Sequence, residues 1–180
     1  MRAILRVPLA ALTLLFLAVA SAPLVDRPPV GDTVNSIVRL AYAIERQDIE
    51  YSWGGGHAER PGPSTGTCLG YNGKIRPCPA ERTRGLDCSG LTRWVYALAY
   101  GRDVLGRGNT DDHLRRLFRV DDPRPGDLVY FGKITEKLVK TNHVGIYLGR
   151  GLMMNAPETG ASVRVDRVAE KKGFAGYFRY

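Results

Sequence analysis

Between Thr33 and Asp48 the apolar residues Val34, Ile37, Val38, Ala41 and Ile44 recur at helical spacing. That pattern predicts an amphipathic helix. YSWGGG (residues 51–56) ends it, because consecutive glycines after two aromatics let the backbone approach a neighbour closely. A second helical stripe, Leu91, Trp94, Val95, Leu98 and Ala99, runs through Ser89–Tyr100, with Gly101 placed to stop it. Asn109-Thr110-Asp111 offers caps for a shorter helix over residues 113–118. The period then changes. DLVYF (127–131), HVGIYL (143–148), LMMNAP (152–157), SVRV (162–165) and GYFRY (176–180) are short, rich in β-branched or aromatic residues, and separated by Gly or Pro. They predict an antiparallel sheet, with PRPGD (123–127) and GRG (149–151) as turns. Helices first and strands later imply an α+β fold, with N-terminal helices packed on one face of a C-terminal antiparallel sheet.

Three segments fit neither period. In the first, residues 1–20, Arg2 and Arg6 precede an uncharged apolar run, VPLAALTLLFLAVA, that ends in small residues. This reads as a signal peptide. The run is shorter than the roughly 20 apolar residues of a membrane span, and no stop-transfer charges follow, so a stable membrane anchor is not expected. No cysteine precedes Cys68, so none is available for lipid attachment at the cut. The second, SAPLVDRPPVGD (21–32), is a Pro-rich, flexible lead-in. The third, residues 57–86, is dense in Gly and Pro and long for a loop in a compact domain.

Cysteine arithmetic then narrows the chemistry. Export favours disulfides, yet Cys68, Cys78 and Cys88 make one pair and one leftover. Pairing Cys68 with Cys78 ties the long loop, by about 3 kcal/mol on the chain-entropy model, and leaves Cys88 free. The alternative is a pairing that consumes Cys88. With two cysteines in a disulfide, the remainder makes no zinc set, and no metal or other cofactor is expected.

Net charge is +8 for 26 basic and 18 acidic residues, and about +6 without Arg2 and Arg6. Such a surface suits anionic partners, which outside a bacterial cell means wall polymers. The basic residues form no stripe interleaved with aromatics, so nucleic acid is not an expected partner.

Cys88 opens a predicted helix, where the dipole and unpaired N–H groups favour thiolate. Asp87 or Ser89 can cap that helix, and the Cys88 N–H can help hold an oxyanion. Of the three histidines, His143 begins an apolar strand and would be held rigidly, whereas His57 lies in the long loop and His113 among charged residues. His143 is therefore the expected base. Asn155 is the polar side chain within LMMNAP, and pairing of that strand with HVGIYL through the GRG turn brings it near His143. Its carbonyl oxygen is then expected to accept Nδ1–H and leave Nε2 facing the sulfur. Glu158 is the competing orienter.

Tyr51-x-Trp53-Gly54-Gly55, Asp87-Cys88-Ser89-Gly90-Leu91, Pro125-Gly126-Asp127-Leu128, His143-Val144-Gly145-Ile146-Tyr147 and Asn155-Ala156-Pro157 occur in that order. In order and spacing they resemble the NlpC-type cell-wall peptidases, papain-like cysteine enzymes that cut peptidoglycan stem peptides. The resemblance covers residues 33–180. It implies Cys88 as nucleophile, His143 as base, Tyr51 as a hydroxyl near the cysteine that assists the oxyanion, and Asp87 and Ser89 as flanks that bind a free amine in some relatives. Many members carry histidine where Asn155 stands, and the 57–86 loop is longer than the family's. The expectation is a secreted, extracellular or wall-associated D,L-endopeptidase with a Cys-His-Asn triad. The rivals are an amidase or acyltransferase on the same fold, a noncatalytic wall-binding module, and an antibacterial effector.

Overall fold

Helix α1 (Val30–Glu45) forms where the apolar stripe predicts it, three residues earlier at each end. Ile37, Ala41 and Ile44 are its buried face. The computed structural model describes residues 30–180. The expected signal peptide and residues 21–29 of the lead-in lie outside the described residues, and Val30–Asp32 belong to α1 rather than to the lead-in.

The long segment is tied rather than open. Strands β1 (Ser64–Thr65) and β2 (Arg84–Gly85) pair antiparallel, and Cys68 is bonded to Cys78, leaving Cys88 free. Helix α2 (Cys88–Tyr100) then starts at Asp87, whose side chain accepts from the Gly90 N–H, and stops at Gly101 with φ 65°. Its buried face departs from the predicted stripe: Leu98 is 48% exposed, while Arg93 is fully buried. The guanidinium is satisfied by the carbonyls of Gly56 (2.9 Å), Ala58 (2.8 Å) and Glu59 (3.2 Å) and by Asp103 (2.7 Å). Helix α3 (Thr110–Leu114) carries the capping box of Asn109 and Asp112, and is shorter than expected because Phe118 already belongs to a strand.

Strands β3 (Phe118–Val120), β4 (Leu128–Thr135), β5 (Leu138–Gly149), β6 (Leu152–Asn155), β7 (Arg164–Arg167) and β8 (Phe174–Arg179) form one sheet in the order β3-β8-β4-β5-β6-β7. Every pairing in it is antiparallel. Helices α1 and α2 cover one face, where Leu91 and Val95 meet Leu128, Tyr130, Val144, Ile146 and Met154. Each such side chain contributes about 1.5–3 kcal/mol by burial. The other face carries a small cluster of Val129, Phe131, Met153 and Val168. The fold is thus the α+β arrangement expected, and the start of α2 abuts the middle of β5.

Candidate active site

Cys88 is the first residue of α2 and only 8% exposed. Its sulfur accepts hydrogen bonds from the backbone N–H groups of Ser89, in its own helix, and of Val144, in β5. Those bonds favour thiolate but do not prevail. Burial, and next the Asp87 carboxylate, push the thiol up to about 12, so it is protonated at neutral pH. The dipole argument from sequence foresees the position and overestimates its consequence.

Val144 follows His143, so the sulfur lies against the residue beside the expected base. His143 is 3% exposed and pairs with Phe131 of β4. Antiparallel pairing of Ile146 with Met154 and Tyr147 with Met153 sets Asn155 diagonally across from it. Asn155 Oδ1 lies 2.8 Å from His143 Nε2. The Asn155 amide nitrogen donates to Asp166 Oδ2 (3.0 Å) and the Arg164 carbonyl (3.3 Å), which fixes Oδ1 toward the ring. Nε2 therefore carries the proton and Nδ1 the lone pair. This corrects the expected assignment, which gave Nδ1 to Asn155: a strand pattern predicts that two residues meet, not which edge of a ring they use. Burial, then the Lys171 charge, hold His143 down to about 3 against the raising effect of Asn155, so the ring is neutral.

Asp87 and Ser89 are brought to the same place, with a partner that sequence reasoning set aside. His57 Nε2 lies 3.0 and 3.1 Å from the two Asp87 oxygens and 3.2 Å from Ser89 Oγ. Ser89 donates to Asp87 Oδ1 (2.9 Å), which also accepts from the Gly90 N–H (2.7 Å). His57 therefore belongs to the flank of Cys88, carried there by the ordered loop. The clue in the sequence was its place directly after three glycines: a Cβ on Gly90 would strike the Gly55 carbonyl oxygen, so the two segments touch at backbone distance. Tyr51 is 8% exposed, and burial followed by the Cys88 and Asp87 charges raise its phenol, which remains a donor. Tyr130, opposite Val144 on β4, also feels Cys88, and its hydroxyl is buried without a partner among the described residues. Glu158 is exposed and has no hydrogen bond to His143, which Asn155 holds instead.

Residues 48–178 match the NlpC/P60 family, and the chain belongs to it. It is 35% identical over 154 residues to the peptidoglycan endopeptidase RipA of Mycobacterium tuberculosis, covering 80% of this chain and 29% of RipA. To the peptidoglycan DL-endopeptidase CwlO of Bacillus licheniformis it is 34% identical over 156 residues, covering 83% of this chain and 28% of CwlO. The chain thus spans under a third of either relative. Among solved structures it is similar to RipA mutated at a cysteine, with TM-score 0.61 and 30% identity over 82% of this chain and 62% of that one. Two further RipA structures carry changes at a histidine and at a glutamate. RipD of M. tuberculosis, described as a non-catalytic NlpC/p60 domain protein adapted to peptidoglycan binding, is similar at TM-score 0.59 and 27% identity, over 82% of this chain and 96% of RipD.

Proposed function

We infer that the chain is a cysteine peptidase hydrolysing amide bonds in peptidoglycan stem peptides, of the D,L-endopeptidase type, through Cys88, His143 and Asn155. The observation that carries this reading is the free thiol at the start of α2, bonded by the N–H of Val144 beside a histidine whose far nitrogen is engaged by Asn155. RipA supports it: the histidine and glutamate changed in its solved structures are twelve positions apart, the separation of His143 and Asn155 here. Asn155 then stands in place of a carboxylate and supplies an acceptor without charge. The resting pair is neutral thiol and neutral imidazole, because burial disfavours either charge alone. As sulfur attacks the carbonyl carbon, its proton passes to His143 Nδ1, so the two charges arise together. Backbone N–H groups and the Tyr51 phenol hold the oxyanion. The imidazolium protonates the leaving amine, and water activated by neutral His143 releases the acyl group from Cys88. Secretion rests on residues 1–20; no helix among the described residues is long and apolar enough to cross a membrane.

RipD motivates a second reading, a wall-binding module whose pair stays neutral. Purified wall fragments incubated with the protein or with Cys88→Ala, followed by mass spectrometry, decide between the two. Stem-peptide products from the unaltered chain alone support hydrolysis, and the product ends distinguish it from amidase or acyl-transfer chemistry. Equal product from both proteins sinks the thiol mechanism, and retention on the wall without product favours binding alone.

A further inference from the structure

Beside Asn155 lies a cavity of about 220 Å³ lined by Met153, Arg164, Asp166, Arg167, Glu170 and Lys171 among others. This is smaller than a cavity for a whole drug-sized ligand, about 300–1,000 Å³, and suits one side-chain-sized group. Most of its charges are already paired. Arg164 Nε lies 3.0 Å from Asp166, and Arg167 Nε lies 4.0 Å from Glu170. Lys171 is different: it is half-buried, and its ammonium has no hydrogen bond or ion pair among the described residues. Glu158 lines the same cavity from an exposed position, and no ion pair joins it to Lys171.

A half-buried ammonium that no carboxylate among the described residues pairs with, beside cations that are paired, can form a charge-assisted pair with an arriving anion. We propose that this cavity is a subsite for a substrate residue next to the cut amide that bears a free carboxylate, and that Lys171 binds that carboxylate. The proposal rests on the peptidase reading, because Asn155 is both wall of the cavity and orienter of His143. The Lys171 charge is also felt at the Cys88 thiol and the His143 ring, which sets the cavity beside the reacting atoms. An arriving carboxylate neutralises that charge. It thereby removes one of the two largest influences that keep His143 unprotonated, so binding of the correct substrate eases proton transfer from the thiol.

Binding and turnover separate this idea from the peptidase reading. Calorimetric titration of Cys88→Ala uses two stem peptides, one with the side-chain carboxylate free and one with it amidated. The free form is expected to bind about tenfold more tightly, and adding Lys171→Met should erase that difference by weakening the free form alone. In the chain that retains Cys88, Lys171→Met should raise KM for the free form far more than for the amidated form. Equal affinities for the two peptides, a difference that survives Lys171→Met, or binding of neither peptide overturns the subsite. If the difference follows Lys171 while neither peptide is hydrolysed, the subsite stands and the peptidase reading fails.

Discussion

On the β5–β6 side of the site, His143 and Asn155 occupy neighbouring strands whose ladder continues through Ile146–Met154 and Tyr147–Met153. On the α2 side, Cys88, Asp87 and Ser89 follow a long segment held by a two-residue ladder, one disulfide, a buried arginine and scattered bonds such as Gly66 N–H to the Ala80 carbonyl and Thr67 N–H to the Trp53 carbonyl. The first half is positioned by a repeating pattern in which each contact is one of many. The second is positioned by dispersed contacts that follow no repeat. A ladder tolerates the loss of one contact; a tethered segment does not.

Arg93→Met gives the largest expected effect. It strands the carbonyls of Gly56, Ala58 and Glu59 together with Asp103, and should cost about 3–5 kcal/mol in denaturant unfolding. Hydrogen exchange should speed first at residues 56–59 and the start of α2, while β5 and β6 stay protected. A loss below about 1 kcal/mol, or loosening of β5 alongside, breaks the contrast. Replacing both Cys68 and Cys78 by alanine comes next, at about 3 kcal/mol for a closure of 10 residues' separation. It should leave Cys88 as the single thiol.

Acid probes both halves at once. Burial holds His143 down to about 3 and His113 down to about 4, against an unfolded value of about 6.5. Within that window the unfolded chain binds more protons, so stability rises with pH; it is fully present above about 6.5 and is lost as pH falls toward 4 and 3. Thermal melts from pH 7 to 4 should show a fall of several kcal/mol, about 3 from each histidine. His113 faces the Gly106 carbonyl, the His57 ring 6.4 Å away, and the charges of Asp87, Asp103 and Arg116. His113→Phe should flatten the upper part of the curve, and an unchanged slope would assign the loss elsewhere.

Asn155→Ala tests the ladder side. It removes the acceptor of Nε2–H yet leaves the strand pairing intact, so turnover should fall about tenfold to a hundredfold for a stability loss of about 1–2 kcal/mol. Unchanged turnover would remove Asn155 from the mechanism. That this residue could be picked from sequence at all follows from the same contrast. Period-2 strands and a GRG turn predict which residues face each other, so His143 and Asn155 were legible, as were the disulfide and the free Cys88. His57 was not, since nothing periodic fixes a residue in a Gly/Pro-rich loop. Arg93 was not, since hydropathy marks it as exposed and only the curled backbone of residues 56–59 offers it acceptors. The far ends of β4 and β5, GKIT and LVKTN, carry no clear apolar alternation because most of their residues are exposed, and they pair through hairpin geometry instead.

The smallest expected effect lies on α2 itself, where the two ways of building meet on one helix. Leu98 belongs to the sequence-predicted apolar stripe with Val95, but 48% of it is exposed while Val95 is fully buried. Cover along α2 explains the discrepancy: Cys88–Arg93 is buried on every side, with Arg93 against the preceding segment, whereas residues 97–100 are only partly covered, and the stripe's distal residue is left facing out. Leu98→Ser should therefore change stability by no more than about 0.5 kcal/mol, the range of ordinary surface substitutions. Val95→Ala, by contrast, opens a gap against the sheet and should cost about 1–3 kcal/mol. If Leu98→Ser proves as costly as Val95→Ala, the helix is seated by its apolar stripe after all and Arg93 only decorates it.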